Sequence, residues 1–336
     1  MKKRTLGTIE VSEIGMGCMG FSHGYGEIPE AEYSIEAIRK AYEYGCTFFD
    51  TAEGYGSLLY GAGHNEKLLG EAAEPFRDQV VLATKFHFTG DIPKTDEEIE
   101  QYIQRHLEQS MKNLRTSVID LYYLPRVHPE VPVEKAAAVM GKLIDEGLIR
   151  AWGLSQVDVD TLTKAHTVTP VSAVQNLYNM LERDCEDAIF PFCLENNIGV
   201  VPFSPVASGF LSGRVTAQTS FEHIDDVRKF VPQLSKENLE ANQPVLDLLA
   251  EYAEKKNATK AQISLAWMLK KYPNVVPIPG SKNQGRILEN LRASEVELTD
   301  DEFKALQEAL DKIQVHGHRG NVEFDGSKMS DWGKKK

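Results

Sequence analysis

The sequence predicts an α/β protein of the (β/α)8 TIM-barrel class. Short apolar segments alternate with segments of helical periodicity eight times along the chain, and no cluster of adjacent strands interrupts the alternation. Two apolar segments stop at a charged residue, since Phe48-Phe49 leads to Asp50 and Val80-Val81-Leu82 leads to Lys85. In a barrel of parallel strands, chemistry lies at the C-terminal strand ends and in the loops after them.

The strands are predicted from short apolar runs, as expected for strands that are covered on both faces. A weak alternation around Gly7 predicts an N-terminal hairpin over residues 2–12 that caps one end of the barrel. The barrel strands are then expected over residues 14–17, 46–50, 80–85, 118–124, 149–153, 173–177, 199–203 and 275–278.

The helices are predicted from their apolar periodicity and from the residues at their ends. Thr95 is a suitable N-cap, and Gly45 and Gly147 are suitable residues just after a helix. The helices are expected over residues 31–44, 65–73, 96–115, 133–146, 157–167, 185–196, 243–256, 260–271 and 285–292, with an extra C-terminal helix over 300–313.

One barrel domain is expected over residues 1–314, followed by a polar and largely mobile C-terminal tail over 315–336. A doubly wound open sheet is the alternative, but the glycines between Gly15 and Gly20 match its GxGxxG turn only loosely. The long irregular segment 204–238 is rich in Ser, Gly and Thr near its start. Long loops in a compact domain are often binding loops.

Composition excludes several classes of partner. The formal net charge of -13 argues against a nucleic-acid or anionic-membrane partner, either of which needs a basic face. The N-terminus lacks an apolar core, so no signal peptide is expected, and no segment approaches the length of a membrane span. The four cysteines are Cys18, Cys46, Cys185 and Cys193, and none of them has the close spacing of a metal-binding or disulfide motif. This spacing favours reduced thiols in a cytoplasmic protein and argues against a zinc site.

Asp50, Lys85 and Tyr55 form a candidate catalytic group. A carboxylate keeps a neighbouring lysine charged, and a charged lysine lowers the pKa of a nearby tyrosine. A tyrosine activated in this way can give a proton to a carbonyl oxygen while hydride reaches the carbon. The alternative, which stays open from these residues alone, is a structural ion pair with an ordinary loop tyrosine.

With these residues placed at strand ends, nearly the whole chain resembles the aldo-keto reductase family. The resemblance rests on Asp50–Gly56 (DTAEGYG), LATK ending at Lys85, Asp120–Leu124 (DLYYL), Gly153-Leu154-Ser155, Gln175 with Tyr178, Phe203-Ser204-Pro205, Ile278–Lys282 (IPGSK), and Arg286 with Glu289-Asn290. It implies a (β/α)8 barrel that uses NADPH/NADP+ to reduce aldehydes and ketones reversibly. Tyr55 would be the proton donor, Lys85 would lower its pKa, and Asp50 would hold Lys85.

The resemblance also implies the residues that bind the cofactor. Ser155 and Gln175 would hold the nicotinamide carboxamide, and Tyr178 would stack on its ring. Lysine and arginine near a helix N-terminus suit a 2′-phosphate, so NADPH is favoured over NADH. The loop after the seventh strand would bind the pyrophosphate, through Ser204, Ser208, Gly209, Leu211 and Gly213. The segment after the eighth strand would bind the 2′-phosphate, through Gly280, Ser281, Lys282 and Arg286. Glu289 and Asn290 would contact the adenine end.

One position departs from the family pattern. The family has a histidine just after the fourth strand, where it orients the substrate carbonyl, and Pro125 occupies that place here. Proline has no donor, so the rate or the substrate choice is expected to change. His87 and His128 lie nearby in the sequence, but neither is assigned a catalytic role.

The expected function is therefore NADPH-dependent reduction of a small carbonyl substrate. The alternative is an NADPH-binding sensor or scaffold barrel with little turnover, which Pro125 favours. A metal-dependent hydrolase is set aside, because His and carboxylate ligands are missing at the strand ends. Monomer and homo-oligomer both stay open. The expected pocket walls suggest small or aromatic aldehydes: Met19, Phe21, Tyr25, Tyr55, Phe86 and the residues near Pro125.

Overall fold

The computed structural model of the protein describes residues 1–320. It begins with an antiparallel hairpin of β1 (Lys3–Leu6) and β2 (Ile9–Ser12). A parallel sheet follows, in which each strand pairs with the next one along the chain. Its strands are β3 (Met16–Gly17), β4 (Phe48–Asp50), β5 (Val81–Lys85), β6 (Ile119–Pro125), β7 (Ile149–Ser155), β8 (Ala173–Gln175) and β9 (Gly199–Val200).

The segment 275–280 lies between the two edges of this sheet. Val275 forms a parallel bridge with Val200, and Gly280 forms one with Gly17. The sheet therefore curls until its first and last strands meet the same segment, which fits a (β/α)8 barrel. Single bridges replace the predicted eighth strand, because Pro277 and Pro279 have no N–H for a regular ladder.

Helices connect successive strands and lie outside the sheet. Thr95 caps the longest of them, as the sequence predicts, and the structure adds a reciprocal hydrogen-bond pair with Glu98. The predicted helix over 185–196 is shorter than expected, because Asp184–Glu186 forms a separate 3-10 turn. The helices are α1 (Ala31–Glu43), α2 (Ser57–Tyr60), α3 (His64–Ala73), α4 (Asp96–Asn113), α5 (Val133–Asp145), α6 (Val159–Val168), α7 (Ile189–Glu195), α8 (Lys236–Ala241), α9 (Gln243–Lys256), α10 (Lys260–Lys271), α11 (Gln284–Leu291) and α12 (Asp300–Leu310).

Side chains alternate between the inside and the outside of the sheet. One apolar cluster fills the interior, and Leu6, Ile9 and Val11 of the hairpin belong to it. A larger cluster joins the outer face of the sheet to the helices. Because the hairpin packs against one end of the interior, the C-terminal ends of the strands form the open end. Within residues 1–320, no helix is both long enough and apolar enough to cross a bilayer.

The first six residues of the predicted tail pack against the barrel. The N–H of His316 donates to Asn242 Oδ1 at 2.8 Å, and the amide of Asn242 donates back to the His316 carbonyl at 2.8 Å. Arg319 is buried, and its N–H donates to Glu182 Oε1. Residues 321–336 lie outside the described part of the chain, so the domain boundary expected at residue 314 stays a prediction.

Candidate active site

A cleft of about 1100 Å³ opens at the C-terminal ends of the strands. It is lined by Asp50, Tyr55, Lys85 and Pro125 among others, so the structure brings together residues that lie up to 75 positions apart in the sequence. Asp50, Lys85 and Pro125 each end a strand, and Tyr55 lies in the loop after β4. The cleft therefore has the position that the strand-end argument predicts.

Asp50 and Lys85 form a buried ion pair at the base of this cleft. Lys85 Nζ lies 2.5 Å from Asp50 Oδ1 and 2.6 Å from the Thr51 carbonyl oxygen. The other carboxylate oxygen of Asp50 accepts from Gln175 Nε2 at 2.8 Å. Burial by itself lowers the pKa of Lys85, but Asp50 and Tyr55 outweigh burial, so the pKa is raised and the ammonium stays charged.

Tyr55 lies beside this ammonium, with the centre of its ring 5.3 Å from Lys85 Nζ. Gly56, in a left-handed conformation at φ 82°, ends the short turn that holds the tyrosine. Lys85 acts to lower the pKa of Tyr55, as expected, but the net shift has the opposite direction. Burial raises the pKa of Tyr55 above its ordinary value, and Lys85 only partly opposes it. The phenol is therefore protonated at neutral pH, as a proton donor requires.

Most of the predicted cofactor positions line the same cleft, in the part that extends from Lys85 to α11. They are Ser155, Gln175, Ser204, Ser208, Gly209, Gly280, Ser281, Lys282, Arg286 and Asn290. Lys282 Nζ also donates to the backbone carbonyls of Tyr25 and Glu27, at 2.7 and 2.5 Å. These hydrogen bonds connect the loop after β3 to this part of the cleft.

The structure does not bring Tyr178 into the cleft. Its ring is fully buried between Phe190 and Trp267, and its hydroxyl donates to Glu186 Oε1 at 2.6 Å. The residue lies beyond the end of β8, where its side chain packs against the helices. An aromatic residue that does line the cleft is Phe203. The sequence signal for it was its position at the end of a predicted strand, directly before Ser204-Pro205.

Three other predicted cofactor positions do not line the cleft. Leu211 is buried in the core and its N–H donates to the Val206 carbonyl, while the N–H of Gly213 donates to the Phe210 carbonyl. Glu289 accepts two hydrogen bonds from Arg214, at 2.7 and 3.1 Å. Neighbouring residues on a helix point in different directions, which is why Asn290 faces the cleft and Glu289 does not.

The loop after β9 has a strained backbone next to the cleft. Ser204, Ala207 and Ser208 are non-glycine residues with φ of 49°, 47° and 55°. Such conformations are costly and cluster at binding sites. The hydroxyl of Ser208 is buried and has no hydrogen-bond partner in the described chain. A buried polar group without a partner is the feature expected where a ligand completes the site.

Two of the predicted pocket walls are wrong. Met19 and Tyr25 line the cleft, but Phe21 and Phe86 are buried in the outer core. Phe86 follows Lys85 directly, and successive residues of a strand point to opposite faces. Two arginines that the sequence reasoning did not single out, Arg126 and Arg319, line the cleft instead.

A metal site is not apparent in the part of the chain that the structure describes. Residues 1–320 contain no group of three His, Cys, Asp or Glu side chains that could hold an ion. The four cysteines, Cys18, Cys46, Cys185 and Cys193, form no disulfide.

Comparison with known proteins agrees with this geometry. A model of the aldo/keto reductase family matches residues 13–311. The chain belongs to the aldo/keto reductase family. A probable aldo-keto reductase 1 of Glycine max is 36% identical over 321 residues, which cover 94% of this chain and 90% of that protein. The aldo-keto reductase yakc of Schizosaccharomyces pombe, whose name specifies NADP(+), is 35% identical over 94% of this chain and 93% of its own length.

Solved structures show the same family fold. A glycerol dehydrogenase of Gluconobacter oxydans superposes with a TM-score of 0.81 at 25% identity, over 98% of both chains. A thermostable aldo-keto reductase in complex with the inhibitor epalrestat has a TM-score of 0.73 at 29% identity. That match covers 92% of this chain and all of the other one.

Two histidines lie near Pro125 in this aldo/keto reductase, and only one of them faces the cleft. His87 lines it, whereas His128 does not. Burial, followed by the positive charges of Arg126 and Lys85, lowers the pKa of His87 to about 4. The imidazole is therefore neutral at physiological pH.

This low pKa predicts a dependence of stability on pH. His87 titrates near 6.5 in an unfolded chain but at about 4 in the fold. Between these values the unfolded chain binds more protons, so the free energy of unfolding falls as the pH decreases. The free energy of unfolding, measured by urea denaturation, should therefore fall less between pH 7 and pH 5 in His87→Leu than in the wild type. The difference between the two falls should be about 2 kcal/mol. His128→Leu, which removes a histidine outside the cleft, is the matched control.

Proposed function

We propose that this aldo/keto reductase reduces aldehydes or ketones to alcohols with NADPH, and that it also runs the reverse oxidation. The observation that carries the proposal is the position of Tyr55 beside the buried Asp50–Lys85 pair, at the base of an open cleft. A structural ion pair alone has no need of a phenol within 5.3 Å of its ammonium. Membership of the family supports the same chemistry.

Each residue of the group then has one task. NADPH, when bound, supplies the hydride that adds to the carbonyl carbon. The electron pair of the C=O double bond moves to oxygen, which takes the proton of the Tyr55 hydroxyl. Lys85 stabilises the resulting tyrosinate by its charge, and Asp50 keeps Lys85 charged and in place.

The lining of the cleft suits a dinucleotide phosphate. Ser155 and Gln175 offer polar groups near Lys85, and Phe203 offers a flat face for the nicotinamide ring. Ser208, whose buried hydroxyl has no hydrogen-bond partner among the described residues, would donate to the pyrophosphate. Arg286 is exposed at the rim beside Lys282 and supplies a positive charge for a 2′-phosphate. The NADP(+) in the name of the Schizosaccharomyces pombe relative supports the same cofactor.

A second candidate function is an NADPH-binding sensor or scaffold with little turnover. Pro125 is the observation that favours it, because the family histidine would donate a hydrogen bond from this place and proline cannot. Small or aromatic aldehydes are the substrates that we propose for the first function, on the basis of the Met19 and Tyr25 walls.

Tyr55→Phe separates the two candidates. The variant keeps the ring but loses the proton, so the rate of aldehyde reduction should fall by roughly 10²–10⁴-fold. NADPH binding, followed by fluorescence titration, should stay within threefold of wild type. A wild-type protein that binds NADPH but consumes none with any carbonyl would favour the sensor instead. Loss of NADPH binding in the variant would give Tyr55 a structural role.

Arg286→Ala tests the choice of cofactor. Removing a charged hydrogen-bond donor from a phosphate should weaken NADPH binding by roughly 10–100-fold and leave NADH binding nearly unchanged. Arg292→Ala, one position after the same helix and outside the cleft, is the control and should alter neither. If Arg286→Ala weakened the binding of NADPH and of NADH equally, Arg286 would not be a ligand of the 2′-phosphate.

A further inference from the structure

We propose that His87 donates a hydrogen bond to the carbonyl oxygen of the substrate and so serves in place of the histidine that Pro125 replaces. This inference rests on the proposed carbonyl reduction. It concerns a residue in the loop after β5, whereas the place of the family histidine is at the end of β6, and three observations support it.

The register of the sheet brings His87 and Pro125 to the same end of two neighbouring strands. On the neighbouring strands β5 and β6, Lys85 pairs with Tyr123, and Lys85 Nζ lies 5.8 Å from the centre of the Tyr123 ring. His87 and Pro125 each follow this pair by two residues, and both line the cleft. Neighbouring strands are about 4.8 Å apart, and the β5–β6 ladder ends at the pair of Lys85 and Tyr123, so His87 and Pro125 leave it on the same side and can face one bound substrate.

The protein holds the backbone of His87 and leaves its ring open to the cleft. The His87 N–H donates to Glu53 Oε1 at 3.3 Å, and its carbonyl accepts from the Tyr102 hydroxyl at 2.9 Å. Glu53 is fixed in turn by His106, whose Nδ1 lies 2.7 Å from Glu53 Oε2. Within residues 1–320, the ring nitrogens of His87 take part in no hydrogen bond.

The charges around His87 set the form of the ring. Burial, Arg126 and Lys85 keep the pKa of His87 far below neutrality, so the imidazole has one N–H and one lone pair at neutral pH. A preorganised N–H aimed at an oxygen where charge develops is worth roughly 10²–10³ in turnover. His87 donates this hydrogen bond without giving up its proton, since the proton that reaches the oxygen comes from Tyr55.

Turnover of three variants tests the inference. His87→Leu should lower kcat for an activated aromatic aldehyde by roughly 10²–10³-fold, with little change in the Kd for NADPH. Adding Pro125→His to this variant should restore at least one tenth of the wild-type kcat, because it returns a donor to the neighbouring strand. His128→Leu is the matched control and should behave as wild type. Urea denaturation shows whether the His87→Leu variant is folded. If it is not, His87→Ala replaces it in the turnover measurement.

The outcomes separate this inference from the function on which it rests. A His87→Leu variant within threefold of wild type, or a loss of turnover that Pro125→His does not recover, would overturn the role of His87 alone. A wild-type protein that binds NADPH and reduces no carbonyl would overturn the proposed function and this inference together. A large loss with unchanged NADPH binding, recovered by the second substitution, is the result that we expect.

Discussion

The ion pair between Asp50 and Lys85 is the interaction on which the rest of the site depends. Burying a charge costs several kcal/mol unless its partners are complete. Here Lys85 also donates to the Thr51 carbonyl, and Asp50 also accepts from Gln175. Asp50 lies on β4 and Gln175 on β8, which are not neighbours in the sheet. Their contact across the interior requires the sheet to curl, so the proposed catalytic group and the barrel depend on each other.

The charge of Lys85 acts against burial at Tyr55. From the sequence, the ammonium is expected to lower the pKa of the tyrosine, whereas in the structure burial outweighs it. Whether burial or the Lys85 charge dominates the pKa of Tyr55 depends on how deeply the tyrosine ring is buried. The sequence pattern does not specify that depth. The positive side chains of Arg126, Arg286 and Arg319 line the cleft beside the paired Lys85, in a chain whose formal net charge is -13. Such a local field favours an anionic ligand such as a dinucleotide phosphate.

Strand periodicity is enough to predict the barrel and the places of Asp50 and Lys85, because short apolar runs mark where buried strands end. It is not enough to predict which side of the sheet the flanking residues face. Phe86 and Tyr178 were both expected at the cleft, and both pack outward against helices. The same limit applies to Phe203, whose direction toward the cleft depends on how the chain leaves β9. Side-chain direction beyond a strand end is set by loop geometry, which has no simple sequence period.

The most direct test of this account is NADPH consumption by Lys85→Met, Asp50→Asn and the double variant, with an activated aromatic aldehyde. Residues that act as one unit show strongly non-additive losses. We expect each single variant to lose roughly 10²-fold or more in kcat, and the double variant to be little worse than the poorer single one. NADPH binding should persist in all three. A Lys85→Met variant that turns over at the wild-type rate would contradict the account, because Tyr55 would then work without the buried pair.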